Sequence, residues 1–92
     1  MKIINIIWHK YVVEKLDWKH SLVPEEVEEL FANRPRYRLQ ERGKVQGEDV
    51  YAAYGQTNAG RYLTVIFIRK LGGKALIISA RDMDKRERKR YG

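Results

Sequence analysis

The sequence predicts an α+β fold in which two N-terminal helices precede an antiparallel β-sheet of about five strands and one short helix follows it. Two features of the pattern indicate this class. Before Pro35, apolar residues recur largely at helical spacing; after it they alternate with polar residues and are interrupted by turn signals. Because the chain has 92 residues and no low-complexity linker, we expect residues 1–92 to form a single domain around one core.

The N-terminal third is expected to hold one strand and two helices. Residues 2–8 are apolar on both faces, which predicts a strand that is buried or central in the sheet. Residues 10–19 carry apolar side chains at helical spacing with charged residues outside that face. Residues 23–31 predict a second helix, with Pro24 suited to its first position and residues 33–35 ending it.

Four further strands are predicted after Pro35, each bounded by a segment that contains glycine. They cover residues 37–42, 49–54, 61–70 and 74–80. The third of these is apolar on both faces, so it should lie at the centre of the sheet. Gly72-Gly73 suits a two-residue hairpin turn, which places opposite each other residues whose numbers sum to about 145. This register pairs Arg81 with Thr64.

The last strand leads directly into a short cationic helix that ends at Tyr91. Asp84 and Glu87 are spaced as a capping box, in which each side chain bonds the backbone of the other. A helix of this length is unstable alone in water, so it must dock on the sheet. Glu87 and Tyr91 are four residues apart and therefore share one helical face.

The charge of the chain is unevenly distributed. The net charge is +7, but four of the 12 acidic residues are glutamates within residues 24–31, which leaves 19 basic and 8 acidic residues elsewhere, or +11. Such a surface favours a polyanionic partner, nucleic acid before an acidic protein.

Several classes of function are excluded or unsupported. Without cysteine there is no disulfide, thiolate metal site or cysteine nucleophile. His9 and His20 are the only histidines and show no metal-ligand spacing, and no glycine pattern precedes a helix as nucleotide loops require. We therefore expect no metal and no cofactor. No apolar run approaches the ~20 residues of a membrane span, so we expect a soluble, cytoplasmic protein without a membrane partner.

Metal-free RNA cleavage needs a base, cationic donors for the phosphate and an acid for the leaving oxygen. The hairpin register brings Arg61 near Arg81, within reach of one phosphate. Glu87, Tyr91 and His20 are the available proton-transfer groups. Each also has a structural explanation: Glu87 as a capping residue, Tyr91 as an anchor for the last helix, and His20 as a favourable charge at a helix C-terminus.

Basic residues next to aromatic rings extend this candidate site. Such a surface suits single-stranded RNA, because it pairs with phosphates and stacks on bases. The predicted RNA-binding residues are Arg69, Lys85, Arg88 and Lys89.

The order of several short motifs resembles the BrnT family, the toxins of BrnT/BrnA type II toxin–antitoxin pairs. The motifs are Ile7-Trp8, Lys19-His20, residues 24–28, Gly55-Gln56-Thr57, residues 60–65, residues 78–81, Glu87-Arg88 and Tyr91. The resemblance implies a RelE-like fold and a metal-independent endoribonuclease that inhibits growth by cleaving RNA. It also implies neutralisation in a hetero-oligomer with a BrnA-like antitoxin of the ribbon-helix-helix type. The alternative is a non-catalytic module of the same fold that binds RNA or a partner protein.

Overall fold

The computed structural model describes residues 1–45 and 47–92. Within these residues it contains five strands and three helices. In chain order they are β1 (Asn5–Ile7), α1 (Lys10–His20), α2 (Pro24–Ala32), β2 (Arg36–Glu41), β3 (Val50–Gln56), β4 (Tyr62–Lys70), β5 (Lys74–Asp82) and α3 (Lys85–Tyr91). The bounds of every element except β1 lie within two residues of those predicted. No helix in the described residues is long and apolar enough to cross a membrane.

The strands form one sheet in the order β1-β5-β4-β3-β2, which places β4 at its centre as predicted. The pairs β2–β3, β3–β4 and β4–β5 are antiparallel. β1 pairs with β5 in the parallel direction, so the sheet is mixed. A parallel neighbour requires a long crossover, and here α1, α2 and three strands separate the two partners in sequence.

The prediction that residues 2–8 form a buried or central strand is wrong. β1 has only three residues and lies at the edge of the sheet, where its single neighbour is β5. Ile3 and Ile6 pack against the core, but the side chain of Ile4 points outward and is 67% exposed. Only part of the apolar run joins the core, because α1 and α2 cover the face of the sheet on which Ile3 and Ile6 lie and Ile4 lies outside that contact.

The β4–β5 hairpin has the predicted register. Arg81 lies opposite Thr64 and Asp82 opposite Leu63. Gly72 and Gly73 both have positive φ angles, 84° and 74°, which are accessible to glycine and match a tight hairpin turn.

The two faces of the sheet are covered by different helices. On one face, α1 and α2 enclose the main core, whose largest fully buried side chains include Phe67, Leu22 and Leu30. On the other face a smaller cluster joins Tyr54 and Met83 to the partly buried Tyr91 of α3. The short helix therefore docks on the sheet, as its length requires, and it leaves the rest of that face open.

The capping box predicted at the start of α3 is present. The Asp84 carboxylate accepts a hydrogen bond from the backbone N–H of Glu87 at 2.8 Å, and the Glu87 carboxylate accepts one from the backbone N–H of Asp84 at 2.9 Å. These bonds satisfy donors that the first turn of a helix otherwise leaves without a partner.

Replacing Asp84 with alanine should lower the free energy of unfolding by about 1 kcal/mol, since it removes the N-cap acceptor. For a chain of this size, that change corresponds to a fall in Tm of roughly 4–8 °C. Thermal denaturation followed by circular dichroism measures it. Asp84→Asn keeps the acceptor oxygen and should stay close to wild type; an equal loss in both variants would contradict the capping role.

Candidate active site

A row of side chains runs across four strands on the face that α3 partly covers. The register places Arg36 opposite Tyr54, Tyr54 opposite Thr64, and Thr64 opposite Arg81. Residues that face each other across adjacent strands point to the same side of the sheet, about 4.8 Å apart. The sheet therefore aligns two arginines at the ends of the row with a tyrosine and a threonine between them.

Glu87 of α3 lies over the Arg81 end of this row and forms a bidentate ion pair with it. Arg81 Nη1 donates to Glu87 Oε1 at 2.6 Å and Nη2 donates to Oε2 at 2.9 Å. Oε1 also accepts from the Thr64 hydroxyl at 3.0 Å, besides the capping bond from Asp84. The Arg81 guanidinium, opposed by partial burial, holds the pKa of the Glu87 carboxyl below its ordinary value of 4.5, with help from the Asp84 and Thr64 donors. Glu87 is thus ionised at neutral pH.

Arg81 keeps part of its hydrogen-bonding capacity. A guanidinium has five N–H groups. Two donate to Glu87 and a third, on Nη1, donates to the carbonyl oxygen of Asp82 at 3.1 Å. Among the described residues, Nε–H and the second Nη2–H have no acceptor, and these two groups form the side edge of the guanidinium fork. The side chain of Arg81 is 43% exposed, so that edge is open to a phosphate.

Two stacked tyrosines stand beside this pair. The rings of Tyr54 and Tyr91 are 3.9 Å apart between centroids and nearly parallel, at 4°. Burial is the main cause that raises the pKa of Tyr54 above 10.0; the charges of Tyr91 and Glu87 add to the rise, whereas those of Arg38 and Arg81 oppose it. These effects place the Tyr54 hydroxyl among charged groups of the site. It remains protonated at neutral pH and can donate a proton.

Tyr54 was missed by the sequence reasoning, although a signal for it exists. In the β3–β4 hairpin, residues whose numbers sum to 118 lie opposite each other, so Tyr54 pairs with Thr64. The same counting had already placed Thr64 opposite Arg81. Combining the two hairpins predicts the row, whereas considering each motif separately does not.

The tyrosine stack separates two open clefts. One has a volume of about 270 Å³ and is lined by Arg38, Arg86, Arg90 and the carboxylates of Asp84 and Glu87. The other, of about 570 Å³, is lined mainly by polar groups of the α2–β2 and β3–β4 connections. Tyr54 and Tyr91 line both clefts.

Arg61 and Arg81 do not lie together, so the expectation that they reach one phosphate is wrong. Arg81 faces the side of Thr64, whereas Asp82, the next residue, lies opposite the core residue Leu63 on the other side of the sheet. Arg61 binds Asp82 on that other side, through Nε at 2.7 Å and Nη2 at 3.1 Å. The strand pleat separates the two guanidinium groups.

Arg61 fastens the connection between α1 and α2 to the sheet. Besides Asp82, its guanidinium donates to the carbonyl oxygens of Ser21 at 2.9 Å and His20 at 2.8 Å, and to the carboxylate of Glu26 at 3.3 Å. These acceptors leave the guanidinium little capacity for a phosphate. The hydrogen bond from Arg61 is the first cause that lowers the pKa of Asp82, and the charge of His20 contributes.

His20 therefore belongs with Arg61 rather than with Glu87. It is the last residue of α1, on the face of the sheet opposite α3. The expectation that His20 shares one site with Arg81, Glu87 and Tyr91 is not met by this geometry. Those three residues do come together.

The four residues predicted to bind RNA divide into two groups. Lys85, Arg88 and Lys89 are exposed on α3, and the Arg88 guanidinium lies 3.8 Å from the centre of the Tyr62 ring. Arg69 lies five residues along β4 from Thr64, about 17 Å away at strand spacing. It is exposed near the turn at the opposite end of the sheet, and we place it outside the site.

The sheet thus places an arginine fork and an ionised carboxylate beside two tyrosines, next to a cleft that three further arginines line, an arrangement suited to an RNA ligand. Within residues 1–45 and 47–92, no group of three or more histidine, aspartate or glutamate side chains is placed to hold a metal ion.

Comparison with known proteins identifies the family. The model of the BrnT toxin family, described as the ribonuclease toxin of a type II toxin–antitoxin system, matches residues 9–87. The chain belongs to the BrnT family. It is accordingly a ribonuclease toxin that acts on RNA and has an antitoxin as its partner, which confirms the family resemblance of the sequence.

A solved structure shows the same fold. The crystal structure of the Brucella abortus ribonuclease toxin BrnT is similar to this chain with a TM-score of 0.63 and 21% identity. The match covers 89% of this chain and 99% of that chain. No curated protein sequence matches the chain.

Proposed function

We propose that this BrnT-family toxin cleaves RNA without a metal ion, at the site formed by Arg81, Glu87, Tyr54 and Tyr91. The observation that carries the proposal is the open side edge of the Arg81 guanidinium, held next to an ionised carboxylate and a protonated phenol. A planar fork of this kind binds two phosphate oxygens at once and stabilises the charge that grows on them during attack.

Glu87 is the proposed base. Its Oε1 already accepts from Arg81, Thr64 and Asp84, whereas Oε2 accepts only from Arg81 among the described residues. A carboxylate oxygen has two lone pairs, so Oε2 can accept the proton of the ribose 2′-OH. The freed oxygen attacks the phosphorus, and the bond to the 5′-oxygen breaks.

Tyr54 is the proposed acid, with Tyr91 stacked against it. The raised pKa of Tyr54 keeps the hydroxyl proton in place until the leaving 5′-oxygen takes it. The products are a 2′,3′-cyclic phosphate and a new 5′-OH. Lys85, Arg88 and Lys89 hold the flanking RNA on the exposed side of α3. Arg61 and His20 take no direct part in this scheme.

The proposal extends to the partner and the setting. Residues 1–92 act as one domain in the cytoplasm, and the antitoxin is a BrnA-like ribbon-helix-helix protein that forms a hetero-oligomer with the toxin. The strongly cationic surface, with a net charge of +7 over the chain, supports an acidic segment of the antitoxin as the inhibitory contact.

The test of the proposal uses purified toxin, free of antitoxin, with single-stranded RNA in the presence of EDTA. We expect fragments that end in 2′,3′-cyclic phosphate, and no cleavage of the same sequence made with 2′-deoxyribose. Cleavage that requires added divalent metal, or that also occurs in the 2′-deoxy strand, would contradict it.

A second candidate function is RNA binding without cleavage. The low pKa of Glu87 favours it, because a weakly basic carboxylate paired with arginine is a poor proton acceptor at neutral pH. In that case the toxin would retain RNA with strong salt dependence, and the RNA would be recovered intact after long incubation.

The two pKa shifts predict the pH dependence of cleavage. Glu87 must be ionised, and its pKa lies below 4.5; Tyr54 must be protonated, and its pKa lies above 10.0. The rate should therefore be level between about pH 5 and 9, falling only outside that range. A break near pH 6.5 would instead indicate a histidine and would restore His20 as a candidate.

Tyr54→Phe should lower the cleavage rate by about 100-fold, the usual size of an acid's contribution, while the fold is kept. The matched control is Tyr51→Phe, because Tyr51 packs against the core on the opposite face of the sheet. Equal rates in the two variants would rule out Tyr54 as the acid.

A further inference from the structure

The 570 Å³ cleft on the other side of the tyrosine stack is not used by the proposed chemistry. Three amide side chains converge there: Asn33 from the end of α2, Gln56 from the end of β3, and Asn58 from the loop before β4. Arg34 and Arg36 complete its rim, and Arg36 belongs to the same cross-strand row as Arg81. The cleft is thus continuous with the site of cleavage.

The amide groups are held in place by a hydrogen-bond network. Asn33 Nδ2 donates to the carbonyl oxygen of Gln56 at 3.0 Å and to Asn58 Oδ1 at 2.9 Å. Gln56 Nε2 donates to the carbonyl oxygen of Gly60 at 3.2 Å. The backbone N–H of Asn58 donates to Glu29 Oε1 at 3.0 Å. The cleft is therefore preorganised before a ligand enters, which lowers the entropic cost of binding.

The same network determines which polar atoms remain available. A backbone carbonyl oxygen can only accept a hydrogen bond, so the amide atom that contacts it in Asn33 and in Gln56 must be the nitrogen. Asn33 Nδ2 is a donor, so the atom of Asn58 that it contacts must be the oxygen. Among the described residues, the atoms without a partner are Asn33 Oδ1, Gln56 Oε1 and Asn58 Nδ2. The free amide atoms of these cleft-lining residues are therefore two acceptors and one donor.

This set matches one nucleobase. The Watson–Crick edge of guanine carries two donors, N1–H and the N2 amino group, and one acceptor, O6; adenine, cytosine and uracil each carry a single donor group on that edge. Tyr54 and Tyr91 line the same cleft and place aromatic ring atoms beside a bound base. The left-handed backbone of Arg34, with φ of 53°, is a rare conformation for a residue other than glycine and lies at the rim of the cleft.

We propose that this amide-lined cleft is a guanine-binding subsite, which selects RNA with a guanine next to the bond that Arg81 and Glu87 address. Arg36 holds the phosphate of that nucleotide. The inference rests on the proposed RNA-cleaving function and adds a base preference to it.

Binding of four labelled pentanucleotides to the full chain tests the inference. The strands carry 2′-fluoro sugars throughout, which remove the attacking hydroxyl, and differ only in their central base. By fluorescence anisotropy we expect the guanine strand to bind at least about 10-fold more tightly than the other three. Equal dissociation constants for the four strands would overturn the inference.

Two variants assign the preference to the cleft. Asn58→Asp keeps the oxygen that accepts from Asn33 but replaces the donor Nδ2 with an acceptor, so the guanine preference should disappear. Asn5→Asp on β1 makes the same charge change away from the cleft and should leave the preference intact. If Asn58→Asp fails to fold, Gln56→Met removes the Oε1 acceptor and should reduce the preference as well. A preference that survives both substitutions would contradict the assignment.

The cleavage assay with unmodified RNA separates this inference from the function on which it rests. Cleavage with no base preference would overturn the guanine subsite and leave the proposed function standing. Neither binding nor cleavage of any strand would overturn both.

Discussion

Arg81→Ala should lower the rate of RNA cleavage by about 1,000-fold. This is the upper end of the effect of removing one preorganised hydrogen-bond donor that stabilises charge in a transition state. The loss follows from the open side edge of its guanidinium, which lies beside the bidentate ion pair with Glu87. Arg81→Lys keeps the positive charge but loses the planar guanidinium that can bind two phosphate oxygens, so it should have less than a tenth of the wild-type activity. Single-turnover cleavage of a short RNA measures both variants.

Arg69→Ala is the matched control for this prediction, since it removes the same charge from the same sheet at a distance of about 17 Å along the strand direction. It should cleave within about threefold of wild type, an effect of general electrostatics alone. Arg81→Ala should remain folded, because the ion pair with Glu87 is partly exposed and stabilises by at most about 1 kcal/mol. Cleavage by Arg81→Ala at the wild-type rate would remove Arg81 from the site.

Arg61→Ala should destabilise the fold strongly rather than remove the chemistry. It deletes the hydrogen bonds that join Asp82, Glu26 and the carbonyls of residues 20 and 21. The expected loss is about 2–3 kcal/mol of unfolding free energy, because these bonds involve charged groups and a partly buried guanidinium. That loss corresponds to a fall in Tm of roughly 10–20 °C.

Thermal and urea denaturation measure this loss, and cleavage is then compared well below the transition. Each folded Arg61→Ala molecule should cleave RNA at nearly the wild-type rate. Arg42→Ala removes an exposed arginine just beyond β2 and should leave Tm within about 2 °C. Lost cleavage with an unchanged Tm would return Arg61 to the catalytic group.

These opposite roles for two arginines show where sequence reasoning succeeded and where it stopped. The turn at Gly72-Gly73 determines the register of β4 and β5, so the pairing of Arg81 with Thr64 was predictable. Side chains alternate between the two faces along a strand, so Arg61, three positions from Thr64, lies on the same face as Leu63. That face is opposite the one on which Thr64 and Arg81 lie. The expectation that Arg61 and Arg81 meet considered only their distance along the strands. It did not consider which face of the sheet each side chain occupies.

Other parts of the site depend on contacts that no local pattern contains. The capping box explained Glu87 completely as a helix-capping residue, yet the same carboxylate also pairs with Arg81. The parallel addition of β1 to β5 joins segments nearly 70 residues apart, and nothing in residues 2–8 specifies that neighbour. Helix and strand positions were predictable because periodicity is local. The composition of the two clefts was not, because segments as far apart in the sequence as β2, β3 and α3 contribute to them.

The central claim is that Arg81, and not Arg61, binds the phosphate of the RNA. Nuclear magnetic resonance of the arginine Nε–H groups tests this directly, during titration of the ¹⁵N-labelled toxin with a 2′-fluoro RNA that it cannot cleave. We predict that the Arg81 Nε–H resonance shifts downfield and becomes protected from exchange, whereas that of Arg61 stays in place because it already donates to Asp82. A shift at Arg61 with no change at Arg81 would contradict the account.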